Sequence, residues 1–204
     1  MFAEALLDAA RADLSVRETA PNDGPRVAEM LAVVGLKPPQ PWCAAAVTTW
    51  LRVAEAATGV AAPIRGSALA QEIGRQLARA DRWTPAEKIP DAQSLRPGMI
   101  LVWSRGPREL GKGHVGVIEQ PLGPRLVQTV EGNSGPTGDG VYRMKRSLDD
   151  PNLLGVGWVD VVVPALPEPP VVEKASASVP VLAAGVGVLV GALATTYAKR
   201  RYRL

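Results

Sequence analysis

The sequence predicts an α+β domain, with helices first and an antiparallel sheet afterwards. Three observations carry this. Apolar residues recur at helical spacing up to residue 80. After Pro90 the character changes to short β-rich segments punctuated by Gly and Pro. Met99-Ile-Leu-Val-Trp103 is a continuous apolar run behind Pro97-Gly98, the mark of a buried strand.

Residues 2–14 read as a helix with Phe2, Leu6, Leu7 and Leu14 along one side. Asn22-Asp23-Gly24 centres a turn. A second helix over 25–34 carries Val27, Met30, Leu31 and Val34, and Gly35, Pro38, Pro39 and Pro41 end it. The strongest helix spans 42–57, alanine-rich, with Val47, Trp50, Leu51 and Ala54 inward and Cys43 in its first turn. Another over 67–80 presents Leu69, Ile73 and Leu77, with Ser67 as N-cap. Strands are expected at 99–103, 114–119, 125–130, 140–146 and 156–163, with Trp50, Trp103 and Trp158 in the core.

The C-terminal part reads differently. Residues 164–178 form a Pro/Ala/Ser-rich linker, 179–198 a transmembrane helix with Gly187 and Gly191 at close-packing spacing, and 199–204 a basic tail. Lys199, Arg200, Arg201 and Arg203 favour a cytoplasmic C-terminus, which places residues 1–163 on the cell-wall side of a membrane. The N-terminus has neither a basic n-region nor an apolar h-region, so no secretory signal is expected there. A route that bypasses ordinary secretion would reconcile export with that absence.

Composition excludes several classes. The net charge is +3, but removing the four basic residues of the tail leaves residues 1–198 at −1, so no nucleic-acid partner is expected. One cysteine excludes an intrachain disulfide framework and a Cys-rich zinc site within one chain.

The single cysteine and the single histidine are the candidates for chemistry. Cys43 lies in the first turn of a helix, where free N–H groups and the helix dipole favour a thiolate. His114 starts a strand after a loop and is the side chain suited to act as its base. A helix N-terminus opposite a strand start is the arrangement of papain-like thiol enzymes. Glu131 and Asn133 follow a strand that can pair with the one beginning at His114, which brings Glu131 near the imidazole. Trp42, beside the cysteine, is a candidate lining of the substrate groove, and Arg105, Arg108 and Lys112 are candidates to meet acidic groups of a substrate.

Pro41-Trp42-Cys43-Ala44-Ala45, Gly113-His114-Val115-Gly116 and Val130-Glu131-Gly132-Asn133-Ser134 resemble, in order and spacing, the three signature segments of the CHAP family of cysteine, histidine-dependent amidohydrolases and peptidases. The stretch from Arg17-Glu18 to Gly24-Pro25 is also similar, and the resemblance covers about residues 15–163. Ala46 departs from it, since the family often carries a bulky aromatic there. The resemblance implies a papain-like catalytic domain over 1–163, with Cys43 as nucleophile, His114 as general base and Glu131 orienting the imidazole. Asn133 would assist orientation or oxyanion binding. No sequence resembling a calcium loop is present, so neither metal nor cofactor is expected. The implied function is hydrolysis of a peptidoglycan amide bond, with peptidoglycan and, through the tail, a membrane as partners. The alternatives are a catalytically silent murein-binding or virion adaptor, and a thiol amidase acting on a non-murein amide.

Overall fold

Strand β2 (Ile100–Ser104) is apolar on both faces because both are covered: Ile100 and Val102 join a core beneath the helices, and Leu101 and Trp103 a second core on the opposite face. The computed structural model describes residues 1–106 and 111–160, all within one compact unit, Met1–Val163. Its helices are α1 (Phe2–Ala12), α2 (Pro25–Val33), α3 (Cys43–Thr58) and α4 (Ala70–Arg79). Its other strands are β1 (Trp83–Pro85), β3 (Gly113–Gly123), β4 (Leu126–Ser134), β5 (Gly140–Ser147) and β6 (Leu153–Gly157). They form one six-stranded sheet in the order β1-β6-β2-β3-β4-β5, and every neighbouring pair is antiparallel.

The centre of the helical layer is α3, buried along Cys43–Leu51. Val27, Met30 and Leu31 of α2 and Leu6, Leu7 and Ala10 of α1 belong to the same core. Polar anchors fix the arrangement. The Asp13 carboxylate just after α1 accepts from the Trp50 indole N–H of α3 (2.8 Å) and from Arg26 of α2 (3.0 and 3.1 Å). Glu119 of β3 accepts from Arg11 of α1 (2.8 Å) and Arg143 of β5 (2.7 and 3.1 Å), which ties the first helix to the sheet.

Most expected elements are present with altered ends. The fourth helix starts later than expected because Ser67 does not cap it. Its Oγ accepts from the Leu69 N–H two residues on (3.0 Å), a local turn, and Leu69 is the N-cap. Strand β1 was not anticipated. It is three residues long and ends in Pro85, which only a sheet edge accepts. Trp50 and Trp103 are buried as expected, whereas Trp158 is only half-buried. Ala46 is fully buried where α3 meets β4. A Cβ added to Gly132 would lie 2.7 Å from both the Ala46 Cβ and the Trp42 ring, so the room an aromatic would take at 46 is already closed.

The fold class needs one correction. The helices-on-antiparallel-sheet architecture stands, but no helix among the described residues is long and apolar enough to cross a membrane. The longest, α3, has 16 residues and carries Arg52 and Glu55. At about 1.5 Å per residue it falls short of the roughly 30 Å hydrocarbon core. The expected linker (164–178), transmembrane helix (179–198) and basic tail (199–204) lie outside the described residues. The transmembrane helix is therefore removed from the fold class. The membrane partner and the membrane-anchored, wall-side location drawn from it go with it.

The close approach of α3 to β4 yields a stability prediction. Gly132→Ala forces a methyl against Ala46 and Trp42 and is expected to destabilise the domain by about 1–3 kcal/mol in urea denaturation. An unchanged midpoint would show that the two layers are not held at this distance.

Candidate active site

The prolines at 38, 39 and 41 hold the chain out of helix until Trp42, the N-cap of α3, so Cys43 is the first helical residue. The first helical bond runs from the Ala46 N–H to the Trp42 carbonyl (2.8 Å), which leaves the N–H groups of Cys43, Ala44 and Ala45 without intrahelical acceptors. The thiol is buried and lies 3.9 Å from the Gly113 carbonyl, at the start of β3. The next residue is His114, 2 % exposed.

His114 is held from one side. Its Nε2 lies 2.6 Å from Oε2 of Glu131. Its Nδ1 is buried without a hydrogen-bond partner among the described residues, although the Cys43 thiol is close enough for the two groups to shift each other's protonation. Burial raises the thiol pKa, but His114, then the charge of Arg105 and the Ala44 N–H, outweigh it and hold Cys43 below the ordinary thiol range. Burial likewise opposes the imidazolium, but Cys43 and Glu131 overcome it and raise His114 to about 9. These directions favour a thiolate–imidazolium pair at neutral pH.

Glu131 is fully buried. Besides His114 it accepts from Arg146 Nε (2.7 Å) and Nη2 (2.5 Å), Thr129 Oγ1 (2.5 Å) and Ser134 Oγ (3.0 Å). Desolvation pushes its carboxyl up, yet Arg146 and His114 bring it down to about 2. Gly116 makes room for it: a Cβ there would sit 2.5 Å from Glu131 Cγ.

Asn133 belongs to a different part of the site. Its Oδ1 accepts from the Trp42 N–H (3.3 Å), and its Nδ2 donates to Glu18 (3.2 Å), Asn22 (3.1 Å) and the Gly138 carbonyl (3.0 Å). It has no hydrogen bond to His114 or Cys43 among the described residues, and it fixes the start of α3 instead. Trp42 is fully buried, and its indole N–H donates to Glu18 Oε1 (2.7 Å), which makes it a support beneath the cysteine. The cleft over Cys43, about 390 Å³, is lined by Leu36, Pro41, Leu69, Arg105 and Lys112, among others. Arg108 lies outside the described residues.

Sequence reasoning assigned no role to Arg146, Thr129, Ser134 or Glu18. A buried carboxylate needs a cation, and the following strand offers Arg143, Lys145 and Arg146. Only the register of β4 on β5, with Val127 opposite Arg146, selects among them. No group of three or more His, Cys, Asp or Glu side chains converges as a metal site among the described residues.

Residues 36–133 match the family model of the CHAP domain, and this segment of the chain belongs to that family. Membership is consistent with a hydrolase of the peptidoglycan-hydrolase type. No curated protein matches the chain at a significant level. Among solved structures it is similar to the crystal structure of Ly7917, at 16% identity and a TM-score of 0.46, over 77% of this chain and 62% of that one.

Glu131→Gln leaves Arg146 and the imidazolium without their buried counter-charge and is expected to cost about 3–5 kcal/mol of stability. His114 is the chain's only histidine, so its imidazole proton resonances are unambiguous. They should titrate near pH 9 in the wild type and at lower pH in the variant. The same pair sets the stability profile. The carboxylate of Glu131 contributes stability above its ordinary range near 4.5, and this is lost as pH falls through about 2. The His114 contribution is complete below 6.5 and is lost as pH rises through about 9. A flat denaturation midpoint across the alkaline window would contradict the ion pair.

Proposed function

We propose that the chain is a cysteine-dependent peptidoglycan hydrolase that cleaves an amide bond of the murein stem peptide or cross-bridge. One observation carries the reading: a buried imidazole is held through Nε2 by an ionised carboxylate, while its unpartnered Nδ1 faces the region of a thiol at a helix N-terminus. Family membership supports the substrate class.

In this reading the Cys43 thiolate attacks the amide carbonyl carbon and a C–S bond forms. The oxyanion is held by N–H groups at the start of α3, whose donors have no intrahelical acceptors. The His114 imidazolium gives its proton to the leaving nitrogen as the C–N bond breaks. Water then attacks the thioester, His114 takes its proton, and the acid and the thiolate are released. Glu131 keeps the ring oriented and its cation stable throughout, and Arg146 keeps Glu131 ionised. No step requires a cofactor.

The test is murein clearing by the full chain beside Cys43→Ala, with soluble fragments weighed by mass spectrometry. Wild type is expected to release fragments whose masses name the bond, and the variant to release none. A folded wild type that leaves murein from several bacteria intact would reject the reading. The pH profile of kcat/KM should be bell-shaped. Its alkaline limb should lie near 9, where the imidazolium is lost, and its acid limb below the ordinary thiol range, where the thiolate is protonated.

A further inference from the structure

We propose that the polar pocket beside His114 takes a carboxylate of the substrate, and that Arg105 selects it. This rests on the amide-hydrolase reading and adds a chemical requirement to it: an acid group next to the amide that Cys43 attacks.

The pocket holds about 110 Å³ and is lined by Trp103, Ser104, Arg105, His114, Arg146, Asp150 and Asn152. That is room for a carboxylate, since a water occupies roughly 30 Å³ of liquid. Two features mark it as built for an acceptor. Trp103 is 4 % exposed, yet its indole Nε1 has no hydrogen-bond partner among the described residues. Buried donors are almost always paired, so a donor without a protein acceptor beside a polar pocket is one that a ligand oxygen can use. Arg105 makes no side-chain hydrogen bond or ion pair among the described residues; only its main-chain N–H is engaged, by the Lys112 carbonyl (3.0 Å).

Charge points the same way. Arg146 is occupied by Glu131, and one Asp150 oxygen accepts from the Asn152 N–H (2.8 Å). Arg146 and His114 are engaged by Glu131 and by the Cys43 thiolate, which leaves Arg105 as the lining cation with no ion-pair partner among the described residues. Arg105 also lines the cleft over Cys43, so it is common to both cavities. A ligand that spans both cavities meets Arg105, whose guanidinium is the group suited to a carboxylate.

Alkylation of Cys43 tests this without murein, because iodoacetate carries a carboxylate next to its reactive carbon and iodoacetamide does not. Full-length wild type and Arg105→Gln are treated with each reagent, and the rate ratio is compared with that of N-acetylcysteine amide. The ratio cancels any change in thiolate fraction that the substitution causes. Wild type is expected to favour iodoacetate about tenfold more than the free thiol does, the scale of one charged hydrogen bond, and Arg105→Gln to return to the free-thiol ratio. Trp103→Phe, which removes only the N–H and keeps a ring, should fall between them. N-acetyl-alanine should slow the iodoacetate reaction of the wild type, whereas its amide and inorganic phosphate should not.

A wild-type ratio equal to the free thiol's overturns the proposal. So does a preference retained in Arg105→Gln, which would belong to the imidazolium, or a Cys43 that neither reagent reaches. Equal protection by phosphate overturns it too, since the pocket would then hold any small anion. If murein stays intact while the Arg105-dependent preference holds, the carboxylate site stands and the murein assignment falls.

Discussion

A carboxylate with no access to water organises this molecule. Glu131 is stable as an anion only because a guanidinium, an imidazole and two hydroxyls converge on it. Each of those groups comes from a different position of the sheet: His114 from β3, Thr129 and Ser134 from β4, Arg146 from β5. The register of three neighbouring strands is therefore under electrostatic control as well as under the control of apolar alternation. A slip of one residue would turn Arg146 to the other face and leave the carboxylate unpaired.

The thiol is placed by a second, independent set of contacts. Glu18 accepts from the Trp42 indole and from Asn133, and Asn133 accepts from the Trp42 N–H. This net fastens the start of α3 to the end of β4, two residues beyond Glu131. Cysteine and histidine thus meet because their supports are adjacent, although their own hydrogen bonds run elsewhere. Small residues complete the geometry. Gly132 and Ala46 let the helix lie close to the strand, and Gly116 lets the Glu131 side chain pass over β3.

Much of this was legible in the sequence. Proline breaks and helical periodicity located Cys43 at a helix start, and a hairpin between the strands at 114 and 125 implied that Glu131 reaches His114. What was hidden depended on tertiary detail. Trp42 looked like a groove residue because an aromatic beside a nucleophile is chemically attractive, but only the structure shows Glu18 capturing its indole N–H in the interior. Asn133 sits two residues beyond Glu131, and the sequence gave no sign that its amide would bond the Trp42 N–H, Glu18, Asn22 and the Gly138 carbonyl. Its backbone takes a left-handed conformation (φ 52°), a local feature that strand patterning does not reveal. The apolar C-terminal segment was read from hydropathy alone, and the described helices include none of that kind.

The guanidinium that neutralises Glu131 lies thirteen residues past the last position shared with the family. Recombination that exchanged only the shared segment would carry off the carboxylate and leave behind its counter-cation, together with α1, whose apolar face belongs to the same helical core. The heritable signature and the smallest piece able to keep its shape are therefore different lengths of chain. Natural shuffling of such domains should cut outside β5, where no charge is orphaned.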